Sequence, residues 1–286
     1  QLLMSVCTVH RVSAFAYKNQ GGNEAGVVLD ASRLNEPSMQ HIAKAIGYSE
    51  TAFIIGIEED LIEVRYFTPK SEVPLCGHAT IGLLNLLRLK GIMPLGTLNL
   101  KTPAGVFPVK IEADKATLFF PEPSILKTHN PSLVTKRLSL DLSDLSSQPI
   151  ATIDAGVKEL YIGLKKEDTL KSLKPDERTL CDLSETHGVS GIVFYTTDSQ
   201  DYLAVVRNFL PPLGITEESA TGTAAAALSK LLFTHQKPFK EGAIQQGKSL
   251  GKPSRIDVRI QNDGPSIETI EISGKFRVIN SVDVTL

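Results

Sequence analysis

Two glycines stand where candidate apolar helices begin. Gly77 opens the almost wholly apolar run 77–87, and Gly222 opens the similar run 222–232. Glycine lets the backbone come close to a ligand, and the N–H groups at a helix start attract anions. Close packing of a helix on a sheet would equally require glycine at such a position. The two helix starts are therefore candidate anion sites, and the packing interpretation stays open beside that one.

Titratable side chains lie beside both helix starts. His78 falls in the first turn of the first helix, and Glu217 and Glu218 precede the second. Glu50 stands directly before a predicted strand. A carboxylate and a histidine can move a proton to and from carbon as general base and acid. The ordinary alternatives are a solvated charge at Glu50, a neutral histidine bonded to a backbone carbonyl, and two acids that compensate a helix dipole.

The cysteines limit the chemistry further. Cys76 precedes Gly77, and a helix start lowers the pKa of a thiol. A two-base racemase of amino acids would need a second thiol at the equivalent place in the other half, which is occupied by Thr221. A two-thiol epimerase is therefore disfavoured. Cys7, Cys76 and Cys181 form no CxxC pattern and the histidines show no metal spacing, so neither a disulfide nor a metal site is predicted.

Composition bounds the class of protein. The chain has 286 residues, of which 42% are hydrophobic and 22% charged, as in folded globular proteins that need no disulfide or metal for stability. Thirty basic and 32 acidic side chains leave a net charge of −2, which argues against a nucleic-acid partner. The apolar runs are too short to span a membrane, and residues 1–10 lack the features of a signal peptide. We expect a cytoplasmic protein with no membrane partner.

Short runs of β-branched and aromatic residues predict a chain rich in strands. The strands predicted in the first half are 6–15, 26–29, 51–57, 61–67, 98–102, 106–111 and 116–120. Those predicted in the second half are 151–154, 159–164, 191–196, 203–208, 255–260, 269–273 and 276–280. Helices are predicted at 36–46, from 77 and near 221. Prolines within 121–126 indicate a boundary, which gives an N-terminal lobe (1–123) and a C-terminal lobe (124–286) whose last strand packs back on the first lobe.

The two halves repeat one unit: a strand, a loop with proline, acidic residues, and then glycine one residue into an apolar helix. A helix that is apolar nearly all round must be buried on all sides. In a chain rich in strands, a wrapped sheet provides that burial. The sequence therefore predicts an α+β fold of two pseudo-symmetric lobes. Each lobe is a curled, mostly antiparallel sheet or barrel wrapped around a central apolar helix.

Several segments together resemble one known family. Residues 49–53 (SETAF), 67–69 (FTP), 72–80 (EVPLCGHAT) and 246–255 resemble the PhzF-like phenazine biosynthesis family, in the expected order and over nearly the whole chain. Residues 22–25 and 220–224 are similar to its early turn and to its second helix start. The resemblance implies the diaminopimelate-epimerase-like fold with the active site between two lobes. It also implies an isomerase without metal or cofactor that acts on a small carboxylic acid and is often a homodimer.

The resemblance also implies roles for particular residues. The position of Glu50 is that of a glutamate that shuttles a proton between carbons, while His78 and Glu218 match catalytic residues that contact the substrate. The residues that match substrate-binding positions are Cys76, Gly77, Ser219, Gly222 and Thr223. The founding activity of the family converts dihydro-hydroxyanthranilic acid to its ketone isomer.

Two departures from the family pattern keep other functions open. Glu218-Ser219 stands where the family usually has Asp-Pro, and Glu24 stands where it has Pro. A glutamate displaces its carboxylate by about 1 Å relative to aspartate, which is enough to impair a preorganised site. A non-catalytic protein that binds a small acid on the same fold is therefore the main alternative. An amino-acid epimerase is a weaker one, because of Thr221.

Overall fold

The structure, a computed structural model, describes residues 5–286. The described residues form two compact units. One comprises the chain up to Phe119 together with Ser273–Leu286, and the other is Phe120–Ile272. Residues 1–4, part of the segment for which no signal peptide is predicted, lie outside the described residues. From residue 5 onward, the chain contains no helix with the length and apolar character needed to cross a membrane.

The first unit contains strands β1–β8 and helices α1 and α2. The strands are β1 (Val6–Ala14), β2 (Asn23–Val28), β3 (Glu50–Glu58), β4 (Leu61–Phe67), β5 (Glu72–Val73), β6 (Gly96–Thr102), β7 (Gly105–Ile111) and β8 (Ala116–Phe120). The helices are α1 (Glu36–Ile46) and α2 (Gly77–Leu89). Asn35 caps α1 by accepting a hydrogen bond from the Ser38 backbone N–H at 2.9 Å. This cap fixes the start of α1 where the sequence predicts it.

The second unit contains strands β9–β17 and helices α3–α6. The strands are β9 (Ser124–His129), β10 (Ile150–Asp154), β11 (Lys158–Leu164), β12 (Gly191–Thr196), β13 (Ala204–Leu210), β14 (Ile215–Glu218), β15 (Glu241–Gln246), β16 (Ser254–Asp263) and β17 (Ser266–Gly274). The helices are α3 (Pro131–Leu138), α4 (Glu167–Ser172), α5 (Glu177–His187) and α6 (Gly222–His235). A final strand, β18 (Phe276–Thr285), pairs antiparallel with β1 and so belongs to the first unit.

Strand pairing repeats between the two units. In the first, β2 pairs parallel with β3, β3 antiparallel with β4, and β4 parallel with β6. In the second, β11 pairs parallel with β12, β12 antiparallel with β13, and β13 parallel with β15. The repeat seen in the sequence is therefore a repeat of topology. The predicted α+β fold is confirmed, and each unit contains one apolar helix with most of its residues buried.

Elements missed from the sequence are mostly on the surface or short. Helices α3, α4 and α5 each bury only one narrow face, which leaves a weak apolar pattern. Strands β5 and β14 span two and four residues, too few for a period-2 pattern to be read. The polar stretch after β9 folds as α3, whose first turn is capped by Asn130 through the Ser132 backbone N–H at 3.0 Å.

Helix α2 lies against β1, β2, β3, β7 and β18 of its own unit. Gly82 permits its close approach to β1, because a Cβ added there would come within 2.7 Å of Val12 Cγ2. Val12 is fully buried and has little room to move aside in a close-packed interior.

Gly82→Ala is expected to lower the free energy of unfolding by about 1–3 kcal/mol through overpacking, despite the higher helix propensity of alanine. Urea denaturation followed by circular dichroism measures the change. Gly56→Ala in β3 is the control, since a Cβ there meets nothing within 4 Å. Equal stabilities of the two variants would contradict the close approach described for α2.

Candidate active site

A carboxylate, a thiol and an imidazole meet in the first unit. His78 Nε2 lies 3.4 Å from Glu50 Oε2 and 3.3 Å from Ser49 Oγ, while His78 Nδ1 lies 3.3 Å from Cys76 Sγ. The side chains of Glu50 and His78 are 12% and 4% exposed, and Cys76 is buried. The structure therefore brings together three residues that the sequence predicts for the site. Ser49 is added to them.

The first cluster, Glu50 with Cys76 and His78, is positioned by the edges of regular elements. Glu50 is the first residue of β3 and pairs with Ala25 of β2. His78 is the second residue of α2, whose N-cap is Cys76. Because two elements of the same unit hold these side chains, their geometry is set by strand register and helix packing rather than by a loop.

Burial controls the charge of the imidazole. It lowers the pKa of His78, and this effect is opposed by the nearby Glu50 carboxylate and by a hydrogen bond to the Glu24 backbone. A lowered pKa makes His78 neutral at pH 7, with one ring nitrogen as donor and the other as acceptor. His78 can therefore orient a carboxylate or a ligand without contributing a full positive charge.

One oxygen of Glu50 is available for chemistry. Oε2 is buried, and within residues 5–286 it has no hydrogen-bond partner, although His78 Nε2 lies 3.4 Å away. A buried carboxylate oxygen without a donor has its lone pairs available to accept a proton from a bound ligand. The cluster can abstract a proton from a bound carbon acid and return it.

The same three residues are of types that bind zinc, and their ligand atoms lie within 4.8 Å of one another. The geometry fits a metal poorly, however. His78 directs one ring nitrogen to the Cys76 thiol and the opposite one to the Glu50 carboxylate. A single ion can bind only one of these nitrogens, so the imidazole would have to rotate before all three groups reached it.

The second unit has its own polar cluster at the start of α6. The Thr221 hydroxyl donates to Glu218 Oε2 at 2.8 Å and accepts from Asn208 Nδ2 at 3.2 Å and Gln246 Nε2 at 3.0 Å. The Thr221 backbone N–H donates to Gln246 Oε1 at 3.0 Å. Glu218 is 7% exposed, so its carboxylate is held in a buried, hydrogen-bonded setting. The remaining predicted residues, Ser219, Gly222 and Thr223, lie in the same stretch at the start of this helix.

Equivalent arginine–glutamate ion pairs precede the two helix starts in the sequence. Arg65 of β4 binds both oxygens of Glu72 at 2.7 and 2.6 Å, and Arg207 of β13 binds both oxygens of Glu217 at 2.9 and 3.0 Å. Bidentate pairs fix geometry as well as charge. Glu217 is therefore a structural partner of Arg207. Among the acids before α6, Glu218 is the one bonded to the helix start.

Sequence reasoning missed several members of these clusters. Ser49 and Gln246 belong to segments that carry the family resemblance, but neither has a chemistry that singles it out. Asn208 lies in the middle of a strand and shows no signal of its own. Its role depends on the register of β13, which brings its amide to Thr221.

Comparison with known proteins identifies the family. The model of the phenazine biosynthesis-like proteins matches residues 12–280. The chain belongs to the phenazine biosynthesis-like family. A Deinococcus radiodurans member named an uncharacterized isomerase is 32% identical over 281 residues, covering 92% of this chain and 90% of that protein. The trans-2,3-dihydro-3-hydroxyanthranilate isomerase of Pseudomonas aeruginosa is 28% identical over 271 residues, covering 92% and 94% of the two chains.

Solved structures of phenazine biosynthesis-like proteins share the fold. The PhzF-family protein of Bacillus anthracis superposes with a TM-score of 0.88 at 28% identity, covering 99% of this chain and all of that one. A probable proline racemase from Agrobacterium radiobacter superposes with a TM-score of 0.67 at 13% identity, covering 98% and 93%. The second likeness concerns the fold alone, and it confirms the epimerase-like architecture.

Proposed function

We propose that this protein is an isomerase that moves a proton between carbons of a small, cyclic or open-chain carboxylic acid. Glu50 acts as base and then as acid, with no metal or cofactor. The observation that carries the proposal is the buried Glu50 oxygen beside the neutral His78. Membership of a family whose curated relatives are named isomerases supports the same reaction class.

The proton transfer needs one carboxylate if the proton leaves and returns on the same face of the substrate. Glu50 Oε2 accepts the proton from carbon, and the resulting acid delivers it to a neighbouring carbon. His78 lies against the Glu50 carboxylate and contacts a polar group of the substrate. Backbone N–H groups at the start of α2, around Gly77, stabilise the negative charge that develops in the transition state.

The second cluster is proposed to recognise the acid rather than to move the proton. Glu218 accepts hydrogen bonds from a polar substituent of the substrate, and backbone donors around Gly222 and Thr223 hold its carboxylate. Ser219 lies beside these donors and Cys76 beside those of α2, so both are assigned to substrate binding. The longer Glu218 side chain, in place of the family's usual aspartate, supports a substrate that differs from that of the phenazine enzymes.

Proton NMR in deuterated water tests the proposal directly. The wild-type protein is incubated with trans-2,3-dihydro-3-hydroxyanthranilate and then with other small unsaturated or cyclic carboxylates. Isomerisation or deuterium uptake at carbon is expected for at least one of them. Saturable binding without any exchange across the panel would contradict an isomerase and would support the alternative, a non-catalytic protein that binds small acids.

A further inference from the structure

A glutamate that neither cluster includes is completely buried in the second unit. Glu159 of β11 has no exposed surface, and its Oε2 accepts a hydrogen bond from the Tyr161 hydroxyl at 3.2 Å. Its other oxygen, Oε1, has no hydrogen-bond partner among residues 5–286. A buried, half-satisfied carboxyl is costly to maintain unless it holds a proton or serves a function.

The register of the strands places this carboxyl at the counterpart of the first cluster. Gly191 of β12 takes the position that Glu50 has in β3. Each stands one residue before the residue that pairs with the equivalent phenylalanine, which is Phe67 in the first unit and Phe209 in the second. Ala25 pairs with Glu50, and Glu159 pairs with Gly191. A Cβ on Gly191 would come within 2.7 Å of Glu159 Oε1. Each unit therefore has one carboxyl at this position of its sheet. In the first unit it is Glu50 on β3, and in the second it is Glu159 on β11, the strand that pairs with β12.

A chain of side chains connects Glu159 to Glu218. The Asn208 amide lies beside Glu159 and stabilises its charged form, and Asn208 Nδ2 donates to Thr221 Oγ1. The Thr221 hydroxyl in turn donates to Glu218. In this arrangement Asn208 Nδ2 faces Thr221, and the amide favours an ionised carboxylate at Glu159.

A second arrangement is available when Glu159 carries a proton. The protonated carboxyl becomes a donor, and the nearby acceptor is Asn208 Oδ1, which is buried and has no hydrogen-bond partner in the described chain. A half-turn of the amide presents this oxygen both to Glu159 and to Thr221. The Thr221 hydroxyl then donates to Asn208 and is withdrawn from Glu218.

The electrostatic setting brings Glu159 into the range where both arrangements are populated. Burial raises the pKa of Glu159 to about 7, against the opposing effect of the neighbouring Asn208 and Tyr161 side chains. Burial and the neighbouring carboxylate raise the pKa of Tyr161 well above its ordinary value, so Tyr161 remains a donor. Two further titratable groups act on this network: Asp154 at the end of β10 adds to the raised pKa of Tyr161, and Glu218 at the end of β14 accepts the Thr221 hydroxyl.

We propose that Glu159 is a positioning residue whose protonation selects between the two arrangements. Glu218 then receives the Thr221 hydroxyl only while Glu159 is ionised. The inference rests on the proposed function in treating Glu218 as a group that faces substrate. Its consequence is that ligand recognition by the second unit depends on a buried proton that never contacts the ligand.

Side-chain amide resonances can follow the relay without any assay of turnover. The NH₂ groups of Asn208 and Gln246 report on either side of Thr221, and each is assigned by its loss in Asn208→Asp or Gln246→Glu. Both are expected to shift in one step with a midpoint near pH 7. The exposed Asn262 amide, which donates to the Gly264 carbonyl, serves as an internal control that shows no step.

Two variants test the order of the relay. Glu159→Gln keeps a donor in place of the protonated acid, so both steps are expected to vanish. Thr221→Val interrupts the chain beyond Asn208, so the Gln246 step should vanish and the Asn208 step should remain. The proposal is overturned if wild type shows no step at Asn208, if the step survives in Glu159→Gln, or if the Gln246 step survives in Thr221→Val. None of these outcomes bears on whether the protein is an isomerase.

Discussion

Glu50→Gln is expected to lower turnover by about 10²- to 10⁴-fold, the usual contribution of a general acid–base group. Glutamine has the shape of glutamate but cannot accept a proton from carbon, so substrate binding should change far less than turnover. The fold should be retained, because the amide can still contact His78 Nε2 from the position of Oε2. Deuterium uptake by NMR and thermal melting, measured on the same preparation, check both parts.

Two control variants make the result specific to the carboxylate of Glu50. Glu58→Gln, at the exposed far end of the same strand, should leave turnover unchanged. Cys76→Ala removes the thiol beside His78 Nδ1 and is expected to keep turnover within about tenfold, since binding contacts contribute less than the base. A fully active Glu50→Gln protein would remove Glu50 from the mechanism. Loss of activity in Cys76→Ala alone would assign the base to the thiol.

The first cluster could be predicted because its members are close in the sequence or stand at marked boundaries. Cys76 and His78 share one helix start, and Glu50 opens a strand bounded by turn residues. The start of α2 and both ends of α1 agree with prediction, because Gly77 and the cap residues Asn35 and Gly47 mark them in the sequence. Local signals of this kind depend on a few neighbouring residues and do not need the tertiary structure.

Glu159 and its connection to the second cluster show why the rest could not be predicted. In β11, Leu160 and Ile162 alternate with Glu159 and Tyr161, a pattern typical of a strand with one face in water. The structure buries both faces, so Glu159 lies in the interior rather than in solvent. Its link to Thr221 runs through Asn208, on a strand far along the sequence, and only the register of three strands brings these groups together. Tertiary packing, not local pattern, decides such contacts.

The free energy of unfolding of Glu159→Gln is expected to rise relative to that of wild type as the pH increases. Burial raises the pKa of Glu159 from 4.5 to about 7 in the folded protein. Between these values the folded state holds a proton that the unfolded state has released, so this group's contribution to stability falls by 1.36 kcal/mol per pH unit. It is fully present below pH 4.5 and lost above pH 7, a total of about 3 kcal/mol.

Urea denaturation of both proteins from pH 4.5 to 8 measures this difference, because other titrating groups occur in both chains and cancel. The free energy of unfolding of Glu159→Gln minus that of wild type should rise by about 3 kcal/mol and level off above pH 7. Glu185→Gln, on the exposed face of α5 in the same unit, should give a flat difference. A flat difference for Glu159→Gln as well would mean that Glu159 is ionised throughout this range. The orphaned oxygens of Glu159 and Asn208 would then need a different explanation from a buried proton.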